Sequence, residues 1–344
     1  MRLPICVALC AVFTSATCNT SAQDTEARLV EHRRIWDSAP HNAFTDLTHF
    51  RGKWFCVFRE GSAHVSEDGT IQVLWTKNGH WWEPCARLRM EGLDLRDPKV
   101  SVSPDGKELV VLAGAAARKG KGAATMTQSI IARSKDGWKW DGVSVIGAPN
   151  YWLWRMTWHK GKAYGVAYAV GPEVKQSRDH HSMLFSSDNG AEFEVAVPDL
   201  LTGKSPRPTE ATLRFDARGN MFCLHRRDGG DKPTALLGFS PPPYQEWDWK
   251  DLGDYFGGPN FIQIPSGQWI ACGRMKNFGP KKETRTVLCE LDLDAGALIP
   301  LVALPSSGDS SYAGLYWRDG LLWITYYSSH EGKSAIYLAK AEIQ

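Results

Sequence analysis

Side chains that bind anions and exchange protons recur at one place in a repeated sequence unit. Six apolar runs carry a polar or charged residue near their start: Thr45/Asp46, Arg96/Asp97, Arg155, Glu210, Asn260 and Tyr312. In three of the units the following run ends in an arginine: Arg59, Arg226 and Arg274. Arginine binds carboxylates through two hydrogen bonds and stays charged at any working pH, whereas Asp, Glu and Tyr can exchange protons. Because an unpaired buried charge is costly, the set predicts either a ligand site or a salt-bridged plug.

The elements that position these residues are the strands of a sixfold repeat. Each copy is a strand, a Gly-containing turn and a second apolar strand, as in residues 44–55 and again in 312–322. The apolar residues that close the first strands are 49 to 58 residues apart, a period close to that of propeller blades. We therefore predict one all-β domain over residues 23–344, a six-bladed β-propeller of four-stranded antiparallel blades. Pairing of residues 29–36 with 336–342 is expected to close the ring.

A second marker lies between these copies and is in phase with them. Residues 186–193 have the form Ser-x-Asp-x-Gly-x-x-aromatic, residues 134–140 and 76–82 are degenerate versions, and 240–247 keeps only the ends. In such Asp-box turns Asp accepts hydrogen bonds from turn amides and Gly adopts a positive φ. We expect Asp136 and Asp188 to have this structural role and no catalytic one.

Composition and the N terminus restrict the class of protein. The chain has 344 residues with 40 Lys+Arg against 38 Asp+Glu, a net charge of +2 that argues against nucleic-acid binding. Residues 1–22 combine Arg2, a short apolar run and a small-residue cleavage site, which predicts a signal peptide and a secreted or periplasmic protein. Lipid anchoring at Cys18 is the less favoured interpretation. No later segment approaches transmembrane length, so stable membrane insertion is not expected.

The Asp-box turns, the six units and the ordered residues Glu210, Arg226, Arg274 and Tyr312 resemble the sialidase (neuraminidase) superfamily of glycoside hydrolases. The resemblance implies an exported, exo-acting enzyme that removes a terminal acidic sugar from a glycan with retention of anomeric configuration. It implies Tyr312 as the nucleophile and Glu210 as its base.

The resemblance also implies an acid/base and an arginine triad for the substrate carboxylate. The acid/base is either Asp68, in a loop of the first unit, or Asp97, at the start of the second. Arg226 and Arg274 match two members of the triad. The guanidinium groups around Tyr312 are expected to lower its pKa.

The third arginine of the triad is missing at the position where the family has it. The family's first-blade motif Phe/Tyr-Arg-Ile-Pro is replaced by residues 42–46, Asn-Ala-Phe-Thr-Asp. Arg59, Arg96 or Arg155 are the candidates to supply the missing guanidinium, and Trp154 is a candidate to stack on a sugar face.

The departure leaves two alternatives open. One is a related glycosidase with a different sugar substrate, and the other is a non-catalytic glycan-binding propeller. The sequence contains no nucleotide or redox cofactor motif. His180 and His181 lack a further ligand at suitable spacing, so no metal site is predicted.

Overall fold

The computed structural model describes residues 25–120, 122–171, 174, 180–202 and 207–344. The predicted signal peptide, residues 1–22, and Cys18 lie outside these ranges. Within them every regular element is a β-strand, and no helix is long and apolar enough to cross a membrane. The predicted fold class is confirmed, because the strands form six four-stranded antiparallel sheets.

We number the sheets as blades along the chain. Blade 1 contains β2 (His41–Phe50), β3 (Lys53–Gly61), β4 (Thr70–Thr76) and β5 (Glu83–Leu88). Blade 2 contains β6 (Asp94–Val102), β7 (Leu109–Ala117), β8 (Met126–Ser134) and β9 (Ser144–Ile146). Blade 3 contains β10 (Tyr151–His159), β11 (Lys162–Ala169), β12 (Ser182–Ser187) and β13 (Glu194–Leu201).

The second half of the chain repeats this order. Blade 4 contains β14 (Pro208–Phe215), β15 (Met221–Arg227), β16 (Leu236–Ser240) and β17 (Asp248–Asp251). Blade 5 contains β18 (Gly257–Gln263), β19 (Trp269–Phe278), β20 (Glu283–Asp292) and β21 (Ala297–Ala303). Blade 6 contains β22 (Ser310–Arg318), β23 (Leu321–Ser328), β24 (Ala335–Ile343) and β1 (Ala27–Trp36).

Blade 6 closes the ring by joining the two ends of the chain. Its strand order is β22-β23-β24-β1, with Ala27 opposite Ile343 and Trp36 opposite Ile336. The predicted pairing of residues 29–36 with 336–342 is therefore confirmed. Closure holds the innermost strands in a fixed circle around a channel, so residues far apart in sequence meet at its ends.

Apolar side chains packed between neighbouring blades hold this circle rigid. One buried cluster joins Phe55 and Val73 of blade 1 to Val111 of blade 2. Another joins Ile270 of blade 5 to Ile324 of blade 6. Each blade is thus supported on both sides, which leaves only short sheet edges exposed.

Each innermost strand carries a β-bulge close to its start. The register against the second strand shifts between Ala43/Asp46, Arg96/Lys99, Leu153/Met156, Pro208/Ala211, Gly257/Asn260 and Ser311/Gly314. The bulged pairs are Phe44-Thr45, Asp97-Pro98, Trp154-Arg155, Thr209-Glu210, Gly258-Pro259 and Tyr312-Ala313. A bulge bends its strand and re-aims its side chains, and the same device recurs near the start of all six innermost strands.

The Asp-box turns join the third and fourth strands of a blade. In blade 2, Asp136 Oδ1 accepts two amide N–H bonds of its own turn, both at 2.8 Å. In blade 3 the equivalent acceptor is Asn189, at 2.8 and 2.9 Å. The role predicted for Asp188 is therefore wrong, and its exposed carboxylate instead pairs with Lys162 at 3.2 Å. Asn and Asp carry the same acceptor oxygen, so the one-residue offset was not visible in the sequence.

Candidate active site

Tyr312 and Glu210, 102 residues apart along the chain, meet at the mouth of the channel. The Tyr312 hydroxyl donates a hydrogen bond to Glu210 Oε1. Arg226 Nη1 donates to the same carboxylate oxygen at 2.6 Å and to the Tyr312 hydroxyl oxygen at 3.2 Å. Glu210 Oε2 accepts the Gly258 amide at 2.7 Å. The structure thus brings the predicted phenol, carboxylate and guanidinium into direct contact.

Two neighbouring bulges fix the position of this phenol. Ser311 and Tyr312 have φ values of 114° and 55°, in a region that L-residues rarely adopt. Gly258, in the bulge of blade 5, has φ 61°, and a Cβ there would lie 2.9 Å from Tyr312 Cδ2 and 2.9 Å from its amide nitrogen. Only glycine fits this backbone beside the ring. The close approach also places the Gly258 amide within hydrogen-bond distance of Glu210 Oε2.

The electrostatics of the pair differ from the sequence expectation. Burial, reinforced by the charge of Glu210, raises the pKa of Tyr312 well above its ordinary value, and Arg226 opposes this without prevailing. The expected lowering of the Tyr312 pKa is therefore wrong, because the sequence did not show how completely the phenol is buried. For Glu210, burial alone would raise the pKa, but the charge of Arg226 and the hydrogen bonds it and Tyr312 donate lower it. The resting pair is a neutral phenol beside a carboxylate.

Asp97 lies in the bulge of blade 2 and is 7% exposed. Burial raises the pKa of this carboxyl, although the charges of Arg96 and Lys99 oppose the shift. A negative charge on Asp97 would raise the pKa of Tyr312, so the two groups lie within electrostatic reach of each other. Asp97 Oδ1 has no hydrogen-bond partner among the described residues. A protonated, unpartnered carboxyl is a suitable proton donor.

Asp68 lies in a different environment, on the exposed loop between β3 and β4. Its carboxylate accepts the Ser62 amide and the Ser62 hydroxyl, both at 3.1 Å. Partial burial would raise the pKa of Asp68, but hydrogen bonds from Ser66 and Ser62 lower it. The group is ionised and bound to its own loop.

The first two candidate arginines converge on one buried aspartate. Arg59 Nε donates to Asp94 Oδ1 at 2.8 Å, and both side chains are fully buried. Arg96 Nη1 donates to Asp94 Oδ2 at 3.1 Å and to the His64 carbonyl at 2.7 Å. Arg118 Nε reaches the same Asp94 oxygen at 3.1 Å. The predicted substrate contact of Arg59 does not fit this geometry, because its guanidinium has no exposed surface.

Arg155 lies deeper in the channel. It binds Asp46 through two hydrogen bonds, at 2.8 and 3.2 Å, and its side chain is 8% exposed. Arg155 lines a cavity of about 300 Å³ formed by the later residues of the innermost strands, such as Trp158 and Tyr316. That cavity opens at the end of the channel opposite Tyr312, so the substrate-binding role predicted for Arg155 does not fit either.

Arg226 and Arg274 keep more side-chain surface than the other candidate arginines, and Arg96 keeps 8%. The side chains of Arg226 and Arg274 are 13% and 15% exposed. Arg226 Nε donates to Asp228 at 2.9 Å. Arg274 Nη1 donates to the Ser310 carbonyl at 3.1 Å and lies 3.9 Å from Asp309.

Trp154 packs beneath Tyr312. It is 1% exposed, and the ring centroids are 5.4 Å apart in an edge-on arrangement. Lys99 Nζ lies 4.4 Å from the Trp154 ring centroid, and burial together with the charge of Arg155 lowers the pKa of Lys99 to about 8. Sugar stacking on Trp154, as the sequence suggested, is excluded in this arrangement because both the ring and its faces are covered.

Sequence reasoning missed a polar cluster around Asp309. Asp309 Oδ1 accepts the Tyr327 hydroxyl at 2.6 Å. Asp309 Oδ2 lies 2.7 Å from His64 Nδ1 and 3.1 Å from His41 Nε2. A signal was present, since His41 precedes the first-blade segment 42–46 and Asp309 precedes the Tyr312 segment, and both segments were expected at the channel mouth.

The candidate residues are almost closed to solvent. Tyr312 is 9% exposed and Glu210 5% exposed. A separate cavity of about 490 Å³ lies near the β19–β20 turn, lined by residues such as Phe278 and Arg285, and none of the candidates lines it.

No protein-family model and no curated protein matches the sequence. The fold matches solved structures over nearly all of the chain. A protein of unknown function from Dyadobacter fermentans is 17% identical, with a TM-score of 0.76, over 92% of this chain and 99% of that one. The α-L-arabinanase of Penicillium chrysogenum, solved with arabinobiose, is 13% identical, with a TM-score of 0.70, over 90% and 98%.

The sialidase of Trypanosoma rangeli is also similar. It is 12% identical, with a TM-score of 0.63, over 91% of this chain and 59% of its own. Identities this low show a shared fold. The resemblance to sialidases is confirmed at the level of the six-bladed propeller.

Proposed function

We propose that the chain is a retaining, exo-acting glycoside hydrolase that removes a terminal sugar from a glycan. The observation that supports it best is the contact of Tyr312 with Glu210 and Arg226 at one end of a propeller channel. A phenol hydrogen-bonded to a carboxylate is a nucleophile beside its base. The fold shared with sialidases and an arabinanase is consistent with this chemistry.

The reaction proceeds in two displacements. The Tyr312 oxygen attacks the anomeric carbon and passes its proton to Glu210, while Asp97 protonates the departing glycosidic oxygen. The bond to the leaving group breaks and a bond to Tyr312 forms. Water then attacks the same carbon and gives its proton to Asp97, and Tyr312 leaves with the proton that Glu210 returns. Two inversions at one carbon retain its configuration.

The pKa directions suit these roles. A lowered pKa keeps Glu210 ionised and able to accept the phenol proton. A raised pKa favours the protonated form of Asp97, which can donate. Arg226, 3.2 Å from the Tyr312 oxygen, stabilises the negative charge that develops there during attack and departure.

The substrate we favour carries an acidic group on its terminal sugar. Arg226 and Arg274 keep guanidinium surface at the mouth, and arginine suits a carboxylate. A neutral sugar is the second candidate, because Asp309 already supplies a negative charge 3.9 Å from Arg274. Export, with residues 1–22 as signal peptide, belongs to the same proposal.

The test is a substrate panel for the mature chain and for Tyr312→Phe. The panel contains sialosides, uronides and α-L-arabinofuranosides, and proton NMR follows the anomer first released. We expect wild type to cleave one class with retention and Tyr312→Phe to be inactive. Tyr316→Phe, at the far end of the same strand, is the matched control and should keep full activity.

Two outcomes contradict the proposal. Inversion of configuration excludes the covalent Tyr312 intermediate. Glycan binding that Tyr312→Phe leaves unchanged, with no turnover by wild type on any glycoside, identifies a glycan-binding propeller instead.

A further inference from the structure

Two imidazoles and a carboxylate converge at the channel mouth beside the proposed catalytic residues. They are His41 at the start of β2, His64 in the β3–β4 loop and Asp309 just before β22. One ligand atom from each lies within 4.8 Å of the others. We propose that these three residues bind a divalent transition-metal ion such as Zn²⁺.

The carboxylate of this site is held in a fixed orientation. Tyr327, itself fully buried, donates to Asp309 Oδ1 at 2.6 Å, which turns Oδ2 toward both imidazoles. Metal ligands in proteins are commonly oriented by hydrogen bonds of this kind. The Asp309 contact with Tyr327 is therefore the support that a metal-binding carboxylate requires.

The histidines are also constrained by their surroundings. His41 is 8% exposed and packs against the Tyr327 ring, with ring centroids 6.4 Å apart. The His64 backbone carbonyl accepts Arg96 Nη1 at 2.7 Å, which fixes its loop, while its side chain is 49% exposed and leaves an entry path.

The two distances to Asp309 require only a small expansion to admit an ion. Tetrahedral Zn²⁺ with bonds of about 2.0–2.2 Å separates its ligand atoms by roughly 3.4 Å. Asp309 Oδ2 lies 3.1 Å from His41 and 2.7 Å from His64. His64 is the side chain with room to retreat. Three protein ligands leave a fourth position open, as in catalytic rather than structural zinc sites.

Such a site would carry a net positive charge, because two neutral imidazoles, one carboxylate and a divalent ion sum to +1. The Phe44 ring lies between the site and the nucleophile, 5.4 Å from the His64 ring and 5.0 Å from the Tyr312 ring. The open position would take an oxygen of the terminal sugar, a role that rests on the proposed function, whereas the metal site does not.

The test measures metal binding directly and on the mature chain. After dialysis against EDTA, ZnCl₂ is titrated calorimetrically, and Co²⁺ is added separately because its visible spectrum reports imidazole ligands. We expect one equivalent of Zn²⁺ per chain. His64→Asn should weaken binding by more than about 100-fold, since loss of a mere supporting group already costs about 10–100-fold. His64 is the decisive position because its half-exposed side chain can be replaced without unfolding the protein.

His80→Asn, an exposed histidine on the blade 1 turn, is the matched control and should bind as wild type does. Tyr312→Phe should also bind Zn²⁺ normally while failing to hydrolyse any substrate. Equal binding by wild type and His64→Asn, or none by wild type, overturns the metal site. A chain that binds Zn²⁺ through His64 but cleaves no glycoside keeps the site and refutes the proposed function instead.

Discussion

The two halves of the propeller carry arginines at comparable places and use them differently. In blades 1 to 3, Arg59 and Arg155 face buried aspartates and are inaccessible or deep in the channel. In blades 4 and 5, Arg226 contacts Glu210 and Tyr312, and Arg274 keeps exposed surface. The residue type is the same, and the burial of the opposing carboxylates differs. Asp94 and Asp46 are almost fully buried, at 0% and 2% exposed, whereas Asp309, the carboxylate nearest Arg274, is 30% exposed.

The largest expected effect comes from removing the carboxylate of Glu210, in blade 4. Glu210→Gln keeps the hydrogen-bonding shape beside Tyr312 but cannot accept its proton. We expect kcat to fall by about 10²–10⁴-fold, the range for loss of a general base. Steady-state kinetics on the substrate that wild type cleaves measures this, and circular dichroism checks the fold. Retention of more than a tenth of the activity would mean that Tyr312 does not depend on Glu210 for its proton transfer.

Two arginine variants test whether the arginines of the two halves of the propeller differ in role. Arg155→Met leaves the buried carboxylate of Asp46 without its charged partner, and we expect a loss of about 3–5 kcal/mol in the free energy of unfolding. Arg274→Met removes a guanidinium that lies 3.9 Å from a 30%-exposed carboxylate, and we expect a smaller loss of stability than for Arg155→Met, with a clear fall in kcat/KM. Urea unfolding and steady-state kinetics measure the two effects.

The double variant Asp46→Leu/Arg155→Met is the control for this pair. Replacing both charges by apolar groups removes the uncompensated carboxylate, so most of the lost stability should return. Equal destabilisation by Arg155→Met and Arg274→Met would erase the distinction between the two halves.

The sequence predicted the fold because the repeat period and the alternation of apolar residues can be recognised directly in the sequence. The six copies and the ring closure were correct, since each depends on apolar spacing along the strands. The contact of Tyr312 with Glu210 followed from the resemblance and the ring together. These predictions needed no knowledge of which side chain points where within a strand.

The pairing of charges was not predictable in the same way. Arg59 is 35 residues from Asp94, and Arg155 is 109 residues from Asp46. Which charge meets which is set by the bulges, and a bulge leaves no mark in composition. The same bulges bury Trp154, whose type alone suggested a sugar platform. The sequence of such a site therefore does not show how deeply a side chain is buried or which residue it pairs with.

Asp97 tests whether the first half contributes to the reaction at all. Burial raises the pKa of its carboxyl, so the donating form persists to higher pH and is lost as the pH rises through that value. We expect kcat/KM of wild type to fall on the alkaline side for this reason. Asp97→Asn should lower activity by about 100-fold near neutral pH and remove that limb of the profile. An unchanged profile would assign the limb to another group.

Asp68→Asn should have the smallest effect of these variants. Hydrogen bonds from Ser66 and Ser62 lower the pKa of Asp68, so the group is ionised at neutral pH and has no proton to donate. Its lowered pKa contributes stability that is present above the unfolded value, about 4, and is lost as the pH falls through the folded value. Because the group is exposed, we expect a change within about 0.5 kcal/mol in stability and within about twofold in kcat/KM. A loss comparable to that of Asp97→Asn would show that the β3–β4 loop closes over the substrate and that Asp68 is the proton donor.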